Sequence, residues 1–274
     1  MTTPYRQGPP PASYASPIPV RRAHLGDALA SEWTKIRSVR STIWTLAVMA
    51  LLLIGIGVVI ALAVSSSDAE LEGQPILSLG FFGVLLGSIC VITLGVLTIA
   101  SEYSTGMIRT TLTACPSRGR VLTAKAIVYF ALVFTTTLVL TTLVAVVQVS
   151  IVDQGSPSGE EWVRSTLGAS LYLALLGLLS LAVGSLVRHS AGAITIMIGV
   201  VLLPLVLAMF MFTESLTGLR DTLLEYSIPS QLGVIYDNGV VSSGPQGWDP
   251  VWIIAGVTAA ALAGAYAVLN KRDV

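Results

Sequence analysis

The side chains able to do chemistry in this chain stand at the borders of its apolar stretches, not inside them. Glu32 and Lys35 lie in "LASEWTKIRSVRST", just ahead of the first long apolar run. Glu102, Arg109, Arg118, Arg120 and Lys125 punctuate "ASEYSTGMIRTTLTACPSRGRVLTAK", residues 100–125, and Arg188 and His189 share the short turn "RHS", 188–190. Carboxylates among ammonium and guanidinium groups favour ion pairing and docking. Signatures of catalysis are missing: no stretch reads G-x-x-x-x-G-K-[ST], H-E-x-x-H or G-x-S-x-G. Cys90 and Cys115, and likewise His24 and His189, are isolated from one another, so neither a disulfide nor a metal framework is expected. No nucleic-acid partner is expected either.

Long apolar elements must position these residues. The chain has 274 residues, 54% of them hydrophobic and 11% charged, with a mean hydropathy of +0.81. A soluble domain carries about 25% charge. A helix needs about 20 apolar residues to cross a hydrocarbon core roughly 30 Å thick, and six stretches meet that length: 43–64, 76–100, 126–152, 166–187, 191–213 and 251–270. None contains Asp, Glu, Lys, Arg or His. Strand-like alternation and aromatic girdles are absent, so the expected fold is an all-α integral membrane protein with six transmembrane helices. Residues 1–24 hold Pro4, Pro9, Pro10, Pro11, Pro17 and Pro19 and no apolar core. They are expected to form a disordered cytoplasmic tail, not a cleavable signal, with the first span acting as the uncleaved insertion signal.

Sorted by side, the charges give an orientation. One side carries 13 Lys/Arg against Asp27, Glu32, Glu102 and Asp273, a net +9; the other carries Arg164 and Arg220 against 11 acidic residues, a net −9. Lys and Arg in short loops stay cytoplasmic, so both termini are expected inside a bacterial plasma membrane. Ion-coupled carriers place ionisable groups within the membrane. The intramembrane polar groups here are neutral, and most Ser and Thr are expected to bond their own helices. Thr93, Thr135, Thr136 and Thr142 are the candidates to line a pathway. A bundle of this kind, if it transports, must draw energy from a partner.

Two border segments could receive that partner. In residues 25–42, Leu25, Ala28, Leu29, Trp33, Ile36 and Val39 share one helical face, flanked by Lys35, Arg37 and Arg40. That pattern predicts an amphipathic helix on the inner surface, or else a plain basic anchor. Glu32 falls among the apolar positions, where an unpaired carboxylate is costly, and so calls for a basic partner in this chain or another subunit. In the second segment, Thr105–Gly106 offers a helix start, "MIRTTLTA" can make two turns, and Pro116 breaks them ahead of Ser117. Periodicity alone reads this stretch as a topogenic loop.

"LASEWTKIRSVRSTIWTL" and "SEYSTGMIRTTLTACPSRGRVLTAK" resemble the membrane (permease) subunit of bacterial ABC exporters of the type-2 class, whose members move drugs, polysaccharides and lipids. The first motif is most similar to actinobacterial permeases. The resemblance spans residues 25–274. It implies an elbow helix at 25–40 with Glu32, Trp33, Lys35 and Arg37, and a coupling helix at 104–114 that docks into an ATP-binding subunit. Glu102, Thr105, Gly106, Arg109, Leu112, Pro116 and Arg118 would form that coupling interface, with Arg188 in a smaller second contact. It further implies a salt bridge from Glu102 or Glu32 to Arg109, Arg118 or Arg120.

ATP and Mg would sit on the partner subunit, this chain binding no cofactor and being no enzyme itself. Two permease copies, identical or paralogous, would build a twelve-span pathway in the lipid bilayer. The segment 214–250 would fold as short re-entrant helices, with Leu216, Leu219, Leu223 and Leu224 on an apolar face and a break at Pro229; a solvated loop is the alternative. Pro204 is expected to kink span five. A non-transporting scaffold or sensor subunit is the rival function, and a charge-free carrier for an apolar solute is a third.

Overall fold

In a computed structural model of the chain, residues 24–67, 74–115, 117–153, 156–238 and 244–271 are described. The predicted tail, apart from His24, and Pro116 lie outside them. The described residues are all-helical, with no strand. An amphipathic α1 (Leu25–Ser38) leads through the extended residue Val39 into α2 (Arg40–Ser66). A short 3-10 turn (Ile76–Gly80) opens α3 (Phe81–Ser104), and Gly106 separates it from the eight-residue α4 (Met107–Ala114). Then come α5 (Arg118–Ile151), and α6 (Gly159–Val163) running through a π turn into α7 (Ala169–Val187). α8 (Ser190–Met209), α9 (Thr217–Glu225), α10 (Ile228–Ile235) and α11 (Asp249–Lys271) complete the fold.

Among the described residues, six helices are long and apolar enough to cross a membrane: Arg40–Ser66, Ile76–Ser104, Arg118–Ile151, Gly159–Val187, Ser190–Met209 and Asp249–Leu269. All six expected spans are there, with shifted ends. The third starts eight residues before the expected 126, because "RGRVLTAK" is polar enough to end a hydropathy run yet favours helix. The fifth ends at Met209, not at 213, and α8 continues through Pro204.

α7 is the centre of the bundle: 14 of its 19 residues are buried, against 5 of 27 on α2 and 4 of 20 on α8, and α11 is mostly uncovered as well. Those outer helices present Trp44, Leu51, Leu203 and Trp252 outward, each at least half exposed. Apolar surface on that scale on several helices is the mark of a lipid-facing wall. α3 meets α7 at Gly95 and Gly177, where a Cβ added at Gly95 would stand 2.5 Å from the Gly177 carbonyl oxygen. Close backbone approach through small residues is how membrane helices gain packing without a hydrophobic driving force between them.

α5 has 34 residues. At 1.5 Å per residue it runs roughly 51 Å, well beyond a core of about 30 Å. Its first turns therefore stand as a stalk at the basic end of the bundle, beside α1, the end of α3 and α4. At the opposite end α9 and α10 fill the segment expected to hold short helices. The expected break falls just ahead of Pro229, between α9 and α10. Pro229 itself occupies the first turn of α10, where its missing N–H costs nothing, and Ser227 caps that turn. α10 is buried through Ile228, Leu232 and Ile235, whereas Leu216 and Leu219 of the preceding segment stay exposed.

Candidate functional site

Four charged side chains from α1, α3 and α5 close a ring of alternating sign at the basic end. Lys125 of α5 donates to Glu32 Oε2 at 2.6 Å and to Glu102 Oε1 at 3.0 Å. Lys35 of α1 donates to Glu32 Oε1 at 2.8 Å and to Glu102 Oε1 at 2.9 Å, and its remaining N–H reaches Thr111 Oγ1 of α4 at 3.2 Å. Glu32, Glu102 and Lys125 have side chains 4%, 5% and 2% exposed, while Lys35 is 25% exposed. The ring is neutral by count and nearly dry. Such a ring positions its elements more than it stabilises them, since desolvation cancels much of the attraction, yet losing one partner strands a buried charge.

Each residue reaches the ring for a local reason. Glu32 and Ile36 are the buried pair on α1, one turn apart. Lys125 is in phase with Leu122, Val128 and Tyr129 on the buried face of α5. Glu102 sits in the last turn of α3, buried with Ile99. Gly106, at φ +73°, takes the left-handed conformation that turns the chain from α3 into α4. That turn sets Ile108 inward and brings Thr111 to Lys35, leaving Met107, Arg109, Thr110 and Thr113 outward.

The expected arginine partners are replaced by lysines. Arg109 is on the exposed side of α4, opposite the buried Ile108. Arg118, in the first turn of α5, donates from Nη1 to the Leu269 carbonyl of α11 at 2.9 Å. Both carboxylates bond to Lys35 and Lys125 instead. Arg188 points inward, with its guanidinium 5.1 Å over the Tyr103 ring of α3. His189 Nδ1 accepts from Gly192 N–H at 3.1 Å and caps α8. Trp33 and Arg37 are exposed on α1, Thr105 is exposed at the end of α3, and Leu112 is half-buried.

The pathway candidates are not gathered into one face. Thr93, Thr135 and Thr136 donate to the carbonyls of Ile89, Ala131 and Leu132 on their own helices. Thr135 and Thr142 are exposed on the outside of α5, while Thr137 and Thr141 point inward. Thr141, absent from the candidates, meets Ser170 of α7 at 3.2 Å between Oγ atoms. Lys125, as the ion partner of both carboxylates, and Thr111 are also absent from the expected site, and only the spacing of three from the buried Ile108 marks Thr111.

Burial by itself would lower the pKa of Lys35, but its hydrogen bonds and attraction to Glu32 and Glu102 outweigh this and hold it above 10.5. A folded-state value above the unfolded one stabilises fully below the unfolded pKa and is lost as pH climbs through the raised one. The protein's thermal midpoint is therefore expected to stay level from neutral pH to about 10 and to fall above it. In Lys35→Met that alkaline fall should be smaller; an unchanged fall in the variant would assign it to other groups.

No curated protein matches the chain. The family description that matches residues 46–274 reads "Protein of unknown function (DUF2705)". The match takes in Glu102, Thr111 and Lys125 and begins downstream of Glu32 and Lys35. By this match over most of its length, the chain belongs to the DUF2705 family.

Proposed function

We propose that this chain is the membrane-spanning subunit of an ATP-driven exporter of the ABC class, working with a separate ATP-binding subunit. The observation that carries the proposal is the setting of α4. This short helix lies outside the six spans, offers Arg109, Met107 and Thr113 outward, and touches through Thr111 a buried ion ring anchored in α1, α3 and α5. A subunit gripping the outer side of α4 would push on the ring, and the ring would pass the displacement to two spanning helices. α1 would then serve as the elbow helix and α4 as the coupling helix.

The charge asymmetry supports placing both termini in the cytoplasm of a bacterial plasma membrane. Two copies, or one copy and a paralogue, would form the pathway. ATP binding would close the ATPase pair and shift the α4 helices, and hydrolysis would reset them. Co-purification of the tagged chain with an ATP-binding subunit, followed by an ATPase assay, tests the proposal. Arg109→Glu puts a charge of the wrong sign on the outward face without touching the ring. It is expected to weaken the complex and to lower its ATPase activity about tenfold or more. A confirmed complex that stays fully active with Arg109→Glu would remove α4 as the coupling element, and isolation with no ATP-binding subunit would favour a scaffold or sensor.

A further inference from the structure

A cavity of about 320 Å³ opens beside the ion ring, between α1, the start of α2 and the end of α3. That volume is at the low end of small-molecule sites, about 300–1,000 Å³. One wall is apolar, built by Ile36, Val39, Leu94 and Leu97. The other is polar, with Thr98, Ser101 and Glu102 on α3. The α3 wall itself offers acceptors, while Lys35, Lys125, Ser41 and Thr42 line the rest of the cavity. The Thr98 and Ser101 hydroxyls give their protons to Leu94 and Leu97 carbonyls of their own helix, which leaves their oxygens as acceptors. Glu102 places both lysines on Oε1, and Oε2, buried, has no hydrogen-bond partner. Lys35, the more accessible lysine, has all three N–H groups engaged, and the buried Lys125 gives two of its three to Glu32 and Glu102.

We propose that this cavity binds an amphiphile whose head carries a primary ammonium. Three N–H donors on one atom match the three acceptors of the α3 wall, and the apolar wall takes the start of the chain. The carboxylate oxygen left over by the ring supplies the negative end, although the ring as a whole is neutral and offers little to a net anion. The cavity sits where the apolar runs of α2 and α3 begin and end, the depth of a lipid headgroup. An ammonium head on such a site can come from an ethanolamine lipid of the bilayer or from a soluble long-chain amine. The proposal stands independently of the exporter assignment.

Binding to the purified full chain in detergent tests it, read by native mass spectrometry and by thermal shift. The lipid probes are dioleoyl phosphatidylethanolamine, its choline analogue, which has no N–H donor, and its anionic glycerol analogue. Ethanolamine lipid is expected to bind about tenfold tighter than either analogue, a preference of the size given by hydrogen bonds to a charged group. Ser41→Trp places a bulky ring from an exposed position on the cavity lining and is expected to abolish the preference. Thr98→Val removes one acceptor at nearly constant shape and is expected to reduce it several-fold. Equal binding of ethanolamine and choline lipids overturns the proposal, as does tighter binding of the anionic lipid, which would assign the effect to exposed arginines. A preference undiminished in Ser41→Trp overturns the location. Dodecylamine against dodecyltrimethylammonium separates the sources: a matching preference points to soluble amines, and one seen with the lipids alone points to the bilayer, each supporting the ammonium site.

Discussion

Lys125→Met is expected to cost roughly 3–5 kcal/mol, the range for removing one partner of a buried ion pair. Lys125 is 2% exposed and bonds to a different carboxylate with each of two N–H groups. Without it, Glu32 and Glu102 face each other across a dry gap with Lys35 alone to neutralise them, and Lys35 is partly in solvent. Typical total stabilities are about 5–15 kcal/mol, so the loss is a large share of what holds the protein folded. The expected readouts are a marked drop in thermal midpoint in detergent and a poor yield of monodisperse protein. Lys125→Arg should also lose stability, because a forked guanidinium does not fit a pocket shaped for a point charge. The double variant Glu32→Leu/Lys125→Met removes one charge of each sign and should recover most of the loss, since a buried pair replaced by apolar groups is often neutral. A single variant as stable as the parent would mean that the ring is not closed in solution.

The ring shows what the sequence alone makes legible. Glu32 on an apolar helical face announces a buried carboxylate in need of a cation, and the structure supplies two. The identity of those cations was not legible from charge counts, because Lys125 resembles any basic residue flanking a span. Its phase was the available signal: Leu122 and Tyr129 lie three before and four after it and share its buried face. Arg109 and Arg118 belong to short or terminal turns, where one residue of register sends a side chain to solvent or to α11.

Spans were legible for a different reason. Hydrocarbon imposes about 20 apolar residues on every crossing, so existence follows from composition. Helix ends do not, because a helix continues through charged residues that stop a hydropathy run, as α5 does from Arg118 to Lys125. The polar threonines misled in the same way. Composition marks Thr135 and Thr142 as equal to Thr137 and Thr141, and only the packing of α5 against α7 tells the outward pair from the inward one.

Gly95→Ala should disrupt the crossing at the centre of the bundle and lower the thermal midpoint sharply. The new Cβ would stand 2.5 Å from the carbonyl oxygen of Gly177, with Ser180 Cβ at 3.1 Å and the Tyr129 hydroxyl at 3.2 Å. The first contact is with backbone, so no side-chain rotation relieves it and α3 must move away from α7. Overpacking in a core costs about 1–3 kcal/mol and more when the backbone must shift. Here the shift would also stretch the bond from the Tyr129 hydroxyl to the Val91 carbonyl, 2.7 Å long and fully buried. Gly177→Ala makes a different clash, with its Cβ 2.4 Å from the Tyr129 hydroxyl and 2.7 Å from that ring. Tyr129→Phe should therefore restore part of the stability of Gly177→Ala and none of that of Gly95→Ala. Gly199→Ala and Gly256→Ala, whose added Cβ atoms meet nothing within 4 Å, should be neutral or gain up to about 1 kcal/mol from helix propensity. Detergent melts of the four glycine variants, of Tyr129→Phe and of its doubles with Gly177→Ala and Gly95→Ala check the whole series. A Gly95→Ala protein that melts with the parent would show that α3 and α7 do not pack backbone to backbone.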